Sequence, residues 1–187
     1  MATRERAYTV DDVWRLEVAN ENPLEKYYLI DGELCIKMAP SELHGETANL
    51  IAHYLTGFVL ERALGRVGVE VGFHPPGDRR TALLPDVSFI SKARMSRRAR
   101  ASYVPRMPDL AVELVSPSQS LAQVRRKAET YLRHGTALVW LIDPEAKTAE
   151  VWQPGTERRE VIDLDGELAG GDILPGFSLP LKRLFRD

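Results

Sequence analysis

Three charged residues, Asp86, Glu113 and Lys127, have the types and the spacing that chemistry on a phosphate ester would need. Asp86 opens one apolar run after a proline, and Glu113 stands inside a second run, Leu110–Val115. A carboxylate inside a strand-like hydrophobic segment is costly to bury unless it is paired or binds a metal. Two carboxylates and a lysine gathered at strand ends would suit metal-dependent phosphodiester hydrolysis. The carboxylates would hold Mg²⁺, and the lysine would position water and offset phosphate charge.

Each of these residues also has a plainer interpretation. Asp86 could be a turn residue after Pro85, and Glu113 could form a structural ion pair with an arginine. Lys127 lies on a predicted helix, where most lysines are solvated, and Tyr131 follows one turn later on the same face. Glu113 shares its strand face with small or apolar residues near the strand's C-terminal end, where ligands bind in open α/β sheets. The functional interpretation therefore depends on the three charged residues coming together.

The elements that must position these residues can be predicted from hydrophobic periodicity and turn signals. Helices are expected over Val10–Glu17, from Ser41 to Gly65, and over Gln119–Arg133. Strands are expected over 27–30, 34–38, 67–73, 83–90, 110–115, 137–142, 148–153 and 159–162. Asp31-Gly32 between the first two strands indicates a hairpin. The strand–helix–strand unit from Leu110 to Ile142 should be parallel with a right-handed crossover.

The composition is that of an ordinary globular protein. The 187 residues are 44% hydrophobic and 28% charged, so we expect a single domain over 1–187. The order of predicted helices and strands makes this an α/β domain with a mixed sheet flanked by helices. No apolar run approaches the ~20 residues of a membrane span, and the polar N-terminus has no apolar signal core after it. One cysteine, Cys35, excludes an intrachain disulfide and a cysteine-based zinc cluster. We therefore expect a cytoplasmic protein without a membrane partner.

A cationic stretch joins the two strands that carry Asp86 and Glu113. Its six cations are Lys92, Arg94, Arg97, Arg98, Arg100 and Arg106, with no acidic residue among them. The net charge of −2 argues against a strongly basic nucleic-acid binder but leaves room for a local basic patch. A charge run is usually a solvated face. Because this one borders the candidate site, we assign phosphate contact to Arg94, Arg97, Arg98 and Arg100.

Several stretches, in order and spacing, resemble a known family. They are LIDGEL at 29–34, PDV at 85–87, DLAVELVSPS at 109–118, Lys127 with Tyr131, and WLIDP at 140–144. Together they resemble the Uma-two family of restriction endonucleases, within the PD-(D/E)xK nuclease superfamily. The resemblance covers most of the chain, from about Tyr8 to Phe185. It implies a restriction-endonuclease-like fold and a nuclease that uses Mg²⁺ or Mn²⁺.

The resemblance also implies roles for particular residues. Asp86 and Glu113 would be the metal carboxylates, and the carbonyl of Leu114 would complete the coordination. Val115 occupies the position of the usual superfamily lysine, two residues after the second carboxylate. The family typically places that lysine on the following helix instead, and Lys127 matches the relocated position. A lysine stem is long enough for a helix packed on the sheet to supply the ammonium.

The chain departs from the family pattern at two places and matches it at a third. The family often has an acidic residue where this chain has Tyr28, and an aspartate shortly before the helix lysine, where this chain has Leu121–Gln123. His44 matches a histidine common at the start of the family's long helix. It could contact phosphate or act as a supporting acid–base group, or it could simply satisfy the helix N-terminus.

These observations predict a Mg²⁺-dependent nuclease acting on DNA, with a homodimer favoured for cleavage of both strands. One alternative is a non-catalytic module in which the same fold and basic stretch serve nucleic-acid binding or assembly. Another is a metal-dependent hydrolase of a different phosphoester. Metal binding that requires both carboxylates would separate the nuclease from the non-catalytic module, and substrate screening would separate DNA from other phosphoesters.

Overall fold

The computed structural model describes residues 7–19, 22, 24–96, 103–155 and 159–185. The α-helices in those ranges are α1 (Val10–Val18), α2 (Glu42–Glu61) and α3 (Leu121–Arg133). The strands are β1 (Glu25–Ile30), β2 (Glu33–Met38), β3 (Gly65–Val69), β4 (Val87–Ser91), β5 (Leu110–Leu114), β6 (Leu138–Asp143), β7 (Thr148–Trp152), β8 (Glu160–Ile162), β9 (Glu167–Ala169) and β10 (Ser178–Pro180). Short 3-10 helices span Lys92–Arg94 and Leu181–Arg183.

Each α-helix begins at a hydroxyl side chain that satisfies a free N–H of its first turn. At α1, Thr9 accepts from the backbone N–H of Asp12, and the Asp12 carboxylate accepts in return from the N–H of Thr9. Ser120 starts α3 with the same reciprocal capping box. At α2, Ser41 accepts from the N–H of His44. The cap of α2 therefore also fixes the first helical turn, which carries His44.

The predicted hairpin between β1 and β2 is present, and its two strands pair antiparallel. The turn residues Asp31 and Gly32 have φ values of 54° and 90°. Positive φ at both central positions is the requirement of a type I′ turn, whose twist matches that of the flanking strands.

The central sheet has six strands in the order β3-β4-β5-β6-β7-β8. Within it, β5 and β6 pair parallel and the other neighbours pair antiparallel. Helix α3 connects the parallel pair, as the strand–helix–strand pattern predicts. Strands β9 and β10 form a separate two-stranded sheet that the sequence pattern did not predict.

The alternation of β5 divides the hydrophobic core between the two faces of the central sheet. Val112 and Leu114 pack with α2 on one face, together with residues such as Leu55. Ala111 packs with α3 on the opposite face, together with Ala128 and Tyr131. Helices therefore cover both faces of a mixed sheet, which confirms the predicted α/β class. Glu113 is on the α3 face, because it lies two residues from Ala111.

Helix α2 ends at Glu61, earlier than Gly65, where the sequence pattern placed its end. Ala63 takes the left-handed conformation, with φ 51°, and turns the chain away from the helix axis. Gly65 instead begins β3, where a Cβ atom would lie 2.0 Å from the backbone oxygen of Ile90. No helix in the described ranges is both long and apolar enough to cross a membrane.

Two predicted strands are shorter than their hydrophobic patterns suggest. β3 stops at Val69 because Glu70 adopts φ 49°, which cannot continue a strand. β4 begins only at Val87, and Leu83 forms an isolated bridge to Phe73 instead. Asp86 therefore lies just outside β4, at the point where the chain enters the sheet.

Candidate active site

Asp86 and Glu113 lie close together where β4 enters the sheet beside β5. Asp86 directly precedes Val87, the first residue of β4, and Val87 pairs with Val112, the neighbour of Glu113 in β5. Both carboxylates raise the pKa of Lys37 and of Tyr131, so both lie near these two side chains. Asp86 is fixed further by the backbone N–H of Leu114, which donates to its Oδ2 at 2.7 Å. Both carboxylates are almost completely buried, at 3% and 1% exposure.

The second oxygen of Asp86 accepts hydrogen bonds from two side chains of the N-terminal half of the chain. Lys37 Nζ of β2 lies 2.5 Å from Oδ1, and His44 Nε2 of α2 lies 2.9 Å from the same atom. Since the carboxylate accepts, Nε2 of His44 carries the proton. The other ring nitrogen, Nδ1, is buried without a hydrogen-bond partner among the described residues.

Glu113 is held by one face of α3. Lys127 Nζ donates to Oε2 and the Tyr131 hydroxyl donates to Oε1, each at 2.9 Å. The two donors are four residues apart and so lie on the same side of the helix. The Lys127 ammonium also lies 4.4 Å from the ring centroid of Tyr28, a cation–π contact. Lys127 is 1% exposed, which makes it one of the most deeply buried charges of the described chain.

Asp86 and Lys37 stabilise each other in their ionised forms. Burial raises the pKa of Asp86, but the hydrogen bond from His44 and the charge of Lys37 outweigh burial and hold the pKa below its ordinary value of 3.8. Burial tends to lower the pKa of Lys37, and the charge of Asp86 reverses this so that the pKa is raised. Burial and the neighbouring Glu113 raise the pKa of Tyr131 well above 10.0, so its hydroxyl remains a donor.

A cavity of about 400 Å³ opens beside Asp86. Lys37 and His44 also line it, and Glu70 lies at its exposed side. Lys127 is absent from the described residues that line this cavity, because its ammonium is covered by Glu113 and Tyr28. Substrate could therefore approach the site from the Asp86 side.

A second, slightly larger cavity of about 460 Å³ lies against the edge strand β3. Its described lining includes Arg66 and Arg106 but no carboxylate. Without an acidic group it offers neither a metal ligand nor a general base. The cavity at Asp86 is therefore the better candidate for chemistry, although it is the smaller of the two.

The donor set at Asp86 and Glu113 fits a Mg²⁺ ion. A carboxylate has about four acceptor positions. The hydrogen bonds described above use three on Asp86 and two on Glu113, so each retains room for a ligand bond. No cluster of three or more His, Cys, Asp or Glu side chains suited to a metal occurs in the described part of the chain. Mg²⁺ does not need one, since it is commonly held by one or two carboxylates with several waters.

The structure brings together four of the residues predicted from the sequence: Asp86, Glu113, Lys127 and His44. The basic stretch gives a different result. Arg94 donates to Asp109 Oδ1 at 2.6 Å and to the carbonyl of Met107 at 3.1 Å, so much of its guanidinium is used within the chain. The other assigned arginines, Arg97, Arg98 and Arg100, lie outside the described residues.

Sequence reasoning missed Lys37, the lysine nearest to Asp86. It is the one buried residue of β2, at 5% exposure. The signal was the same as for Glu113: a charged residue between apolar neighbours, here Ile36 and Met38, in a predicted strand. Such a lysine must find a partner or remain at the surface.

A model of the Uma2 family, described as "Putative restriction endonuclease", matches residues 10–182. The chain belongs to this family. Membership supports a nuclease role and confirms the resemblance seen in the sequence. Among curated proteins no significant relative was found.

Solved structures confirm the fold of this Uma2 protein. The chain is similar to a crystal structure of a putative nuclease belonging to DUF820 from Anabaena variabilis ATCC 29413, with a TM-score of 0.80 and 24% identity. That match covers 95% of this chain and 97% of the other. A second similarity, to the cryoEM structure of a DrdV–DNA complex, has a TM-score of 0.40 and 18% identity over 74% and 78% of the two chains. A TM-score this low does not establish a shared fold.

Proposed function

We propose that this protein is a Mg²⁺-dependent nuclease that hydrolyses DNA phosphodiester bonds at the Asp86–Glu113 site. The observation that carries the proposal is the proximity of these two buried carboxylates, one just before β4 and one in the neighbouring β5, next to a cavity that reaches Asp86. The nuclease role of the Uma2 family supports the choice of a phosphodiester substrate.

In this proposal Asp86 and Glu113 would hold the ion, with the carbonyl of Leu114 as a further ligand. A bound Mg²⁺ would supply the acidity that activates a water and would offset charge on the scissile phosphate. Leu114 N–H and His44 keep the Asp86 carboxylate in a fixed orientation. Tyr131 and Lys127 do the same for Glu113. The catalytic role proposed for Lys127 is to orient the attacking water or to stabilise the charge that develops on the phosphate.

Single-turnover cleavage of supercoiled plasmid with Mg²⁺ or Mn²⁺ tests this function. We expect wild-type protein to cleave, and Asp86→Asn and Glu113→Gln to cleave at least about 100-fold more slowly. Lys127→Ala should also slow cleavage while leaving metal binding nearly intact. Arg126→Met is the matched control on the same helix, since Arg126 forms an ion pair with the exposed Glu33. Wild-type protein that cleaves no DNA, or carboxamide variants as fast as wild type, would contradict the proposal.

One observation favours a second candidate function, a non-catalytic nucleic-acid-binding or assembly module. Each site carboxylate already has a lysine within hydrogen-bond distance, so Asp86 and Glu113 form a satisfied ion-pair network without a metal. Calorimetric titration with MnCl₂ separates the two. A catalytic site binds Mn²⁺ in wild-type protein and loses it in both carboxamide variants, whereas a purely structural network binds none in either form.

Cleavage of both strands by a protein with one active site per chain would favour a homodimer. Light scattering at several concentrations, with and without duplex DNA, measures this directly. A monomer that makes double-strand breaks in a single binding event would contradict the dimer.

A further inference from the structure

Lys37 lies between two carboxylates that differ in their surroundings. Its Nζ is 2.5 Å from Oδ1 of the buried Asp86 and 3.9 Å from Oε1 of Glu70. The Glu70 side chain is 42% exposed, and all three residues line the same cavity. A short shift of a flexible lysine stem would therefore move the ammonium from the inner carboxylate to the outer one.

Glu70 is held in an unusual backbone conformation. Its φ of 49° is in the left-handed region, which is unfavourable for a residue with a side chain because Cβ comes too close to the following carbonyl oxygen. Its N–H donates to the backbone carbonyl of Asp86 at 3.1 Å, which ties the two residues together. Strained backbone of this kind tends to persist at functional sites, where it positions a side chain. Here it sets a carboxylate beside Lys37.

Electrostatics oppose a metal on Asp86 while Lys37 keeps its present position. The ammonium occupies an acceptor position of Oδ1, and a divalent cation on the same carboxylate would lie within a few ångströms of it. Like charges at such a distance inside a protein repel strongly. Glu113 already pairs with Lys127 and would itself hold the ion, so a shift toward Glu113 would not separate Lys37 from the metal. Glu70 is the remaining acidic partner within reach among the described residues.

We propose that Lys37 is a positioning residue of the metal site, which holds Asp86 before the ion binds and moves to Glu70 when the ion arrives. The inference rests on the proposed metal-dependent function. Glu70 then raises the affinity for the metal by binding the displaced Lys37, and it does not itself contact the ion. The exchange keeps every charge paired: the cation replaces the ammonium at Asp86, and Glu70 neutralises the displaced ammonium.

A double-mutant cycle measured by calorimetry with MnCl₂ tests the inference. Lys37→Met keeps the side-chain length and removes the competing charge, so it should bind Mn²⁺ at least tenfold more tightly than wild type. Glu70→Gln should bind about fivefold more weakly in the wild-type background and by less than twofold in the Lys37→Met background. Lys26→Met, which removes a cation from the rim of the same cavity, should change affinity by less than threefold. Lys37→Gln replaces Lys37→Met if the latter does not fold.

The outcomes distinguish this inference from the proposed function. If Glu70→Gln weakens binding equally in both backgrounds, Glu70 acts directly on the ion and the inference is wrong. If Lys37→Met binds Mn²⁺ no more tightly than wild type, the inference is wrong while the metal site stands. If neither wild type nor any variant binds Mn²⁺, the metal site itself is wrong and the inference falls with it.

Discussion

The buried ion pair between Lys127 and Glu113 makes a quantitative prediction for stability. Lys127→Met keeps most of the apolar stem of the side chain and removes the ammonium. Glu113, which is 1% exposed, would then keep the hydrogen bond from Tyr131 but lose the ammonium of Lys127 that donates to its Oε2. Removal of one partner from a buried ion pair leaves an uncompensated charge, which costs about 3–5 kcal/mol.

The size of the expected effect can be expressed as a melting temperature. For a chain of 187 residues each kcal/mol corresponds to about 2–4 °C. Lys127→Met should therefore melt about 6–20 °C below wild type. Urea denaturation followed by circular dichroism should give a free energy of unfolding lower by about 3–5 kcal/mol, without a change in the slope against denaturant.

Two controls show whether the loss comes from the buried charge. In Lys127→Met/Glu113→Gln the amide is neutral and still accepts from Tyr131, so the double variant should recover at least about 1.5 kcal/mol relative to Lys127→Met. Arg126→Met breaks the neighbouring ion pair with Glu33, whose side chains are 47% and 60% exposed, and should cost less than about 1 kcal/mol. If Lys127→Met is as mild as Arg126→Met, the burial argument for Glu113 is refuted.

Three further predictions concern metal, DNA and pH. Asp86→Asn and Glu113→Gln should each remove Mg²⁺ and Mn²⁺ binding in calorimetry, because an amide is a poor substitute for a carboxylate ligand of a hard cation; unchanged affinity in both would rule out the site. Neutralising Arg97, Arg98 and Arg100 should weaken DNA binding. The slope of log binding constant against log salt concentration should fall in magnitude by up to about 0.9 per lost phosphate contact. An unchanged slope would mean that these arginines are only solvated. The third prediction concerns pH, because the pKa of Asp86 is lowered in the folded protein. The contribution of Asp86 to stability is present above about pH 4 and is lost as the pH falls through the folded pKa. An Asp86→Asn variant with the same acid unfolding profile as wild type would contradict this prediction.

Much of the secondary structure could be predicted from short stretches of neighbouring residues. The predicted helix starts at Val10 and Ser41 are confirmed, because capping depends on a few adjacent residues. Asp31-Gly32 marked the hairpin for the same reason. Glu113 stood out because a charge in a buried strand needs a partner. Helical spacing also placed Lys127 and Tyr131 on one face of α3, but it did not predict that this face would contact Glu113.

Long-range contacts were harder to predict. Lys37 meets Asp86 across 49 positions of sequence, and no periodicity links the two. β3 ends at Val69 because the next residue, Glu70, is left-handed, and Glu70 is not the glycine that usually marks such a position. Arg94 looked like a free cation because its partner Asp109 lies beyond the end of the basic stretch. In each case the outcome depends on tertiary pairing, to which hydrophobic patterns are insensitive.

The central claim is that Asp86 and Glu113 together hold a divalent metal, and anomalous diffraction from crystals grown with Mn²⁺ tests it most directly. The account predicts a manganese peak bound by at least one oxygen of each carboxylate, at about 2.0–2.3 Å, with Lys37 displaced from Asp86. The same crystals of Glu113→Gln should lack the peak. Well-ordered carboxylates with Lys37 and Lys127 in place and no manganese between them, at a concentration that supports cleavage, would contradict the account.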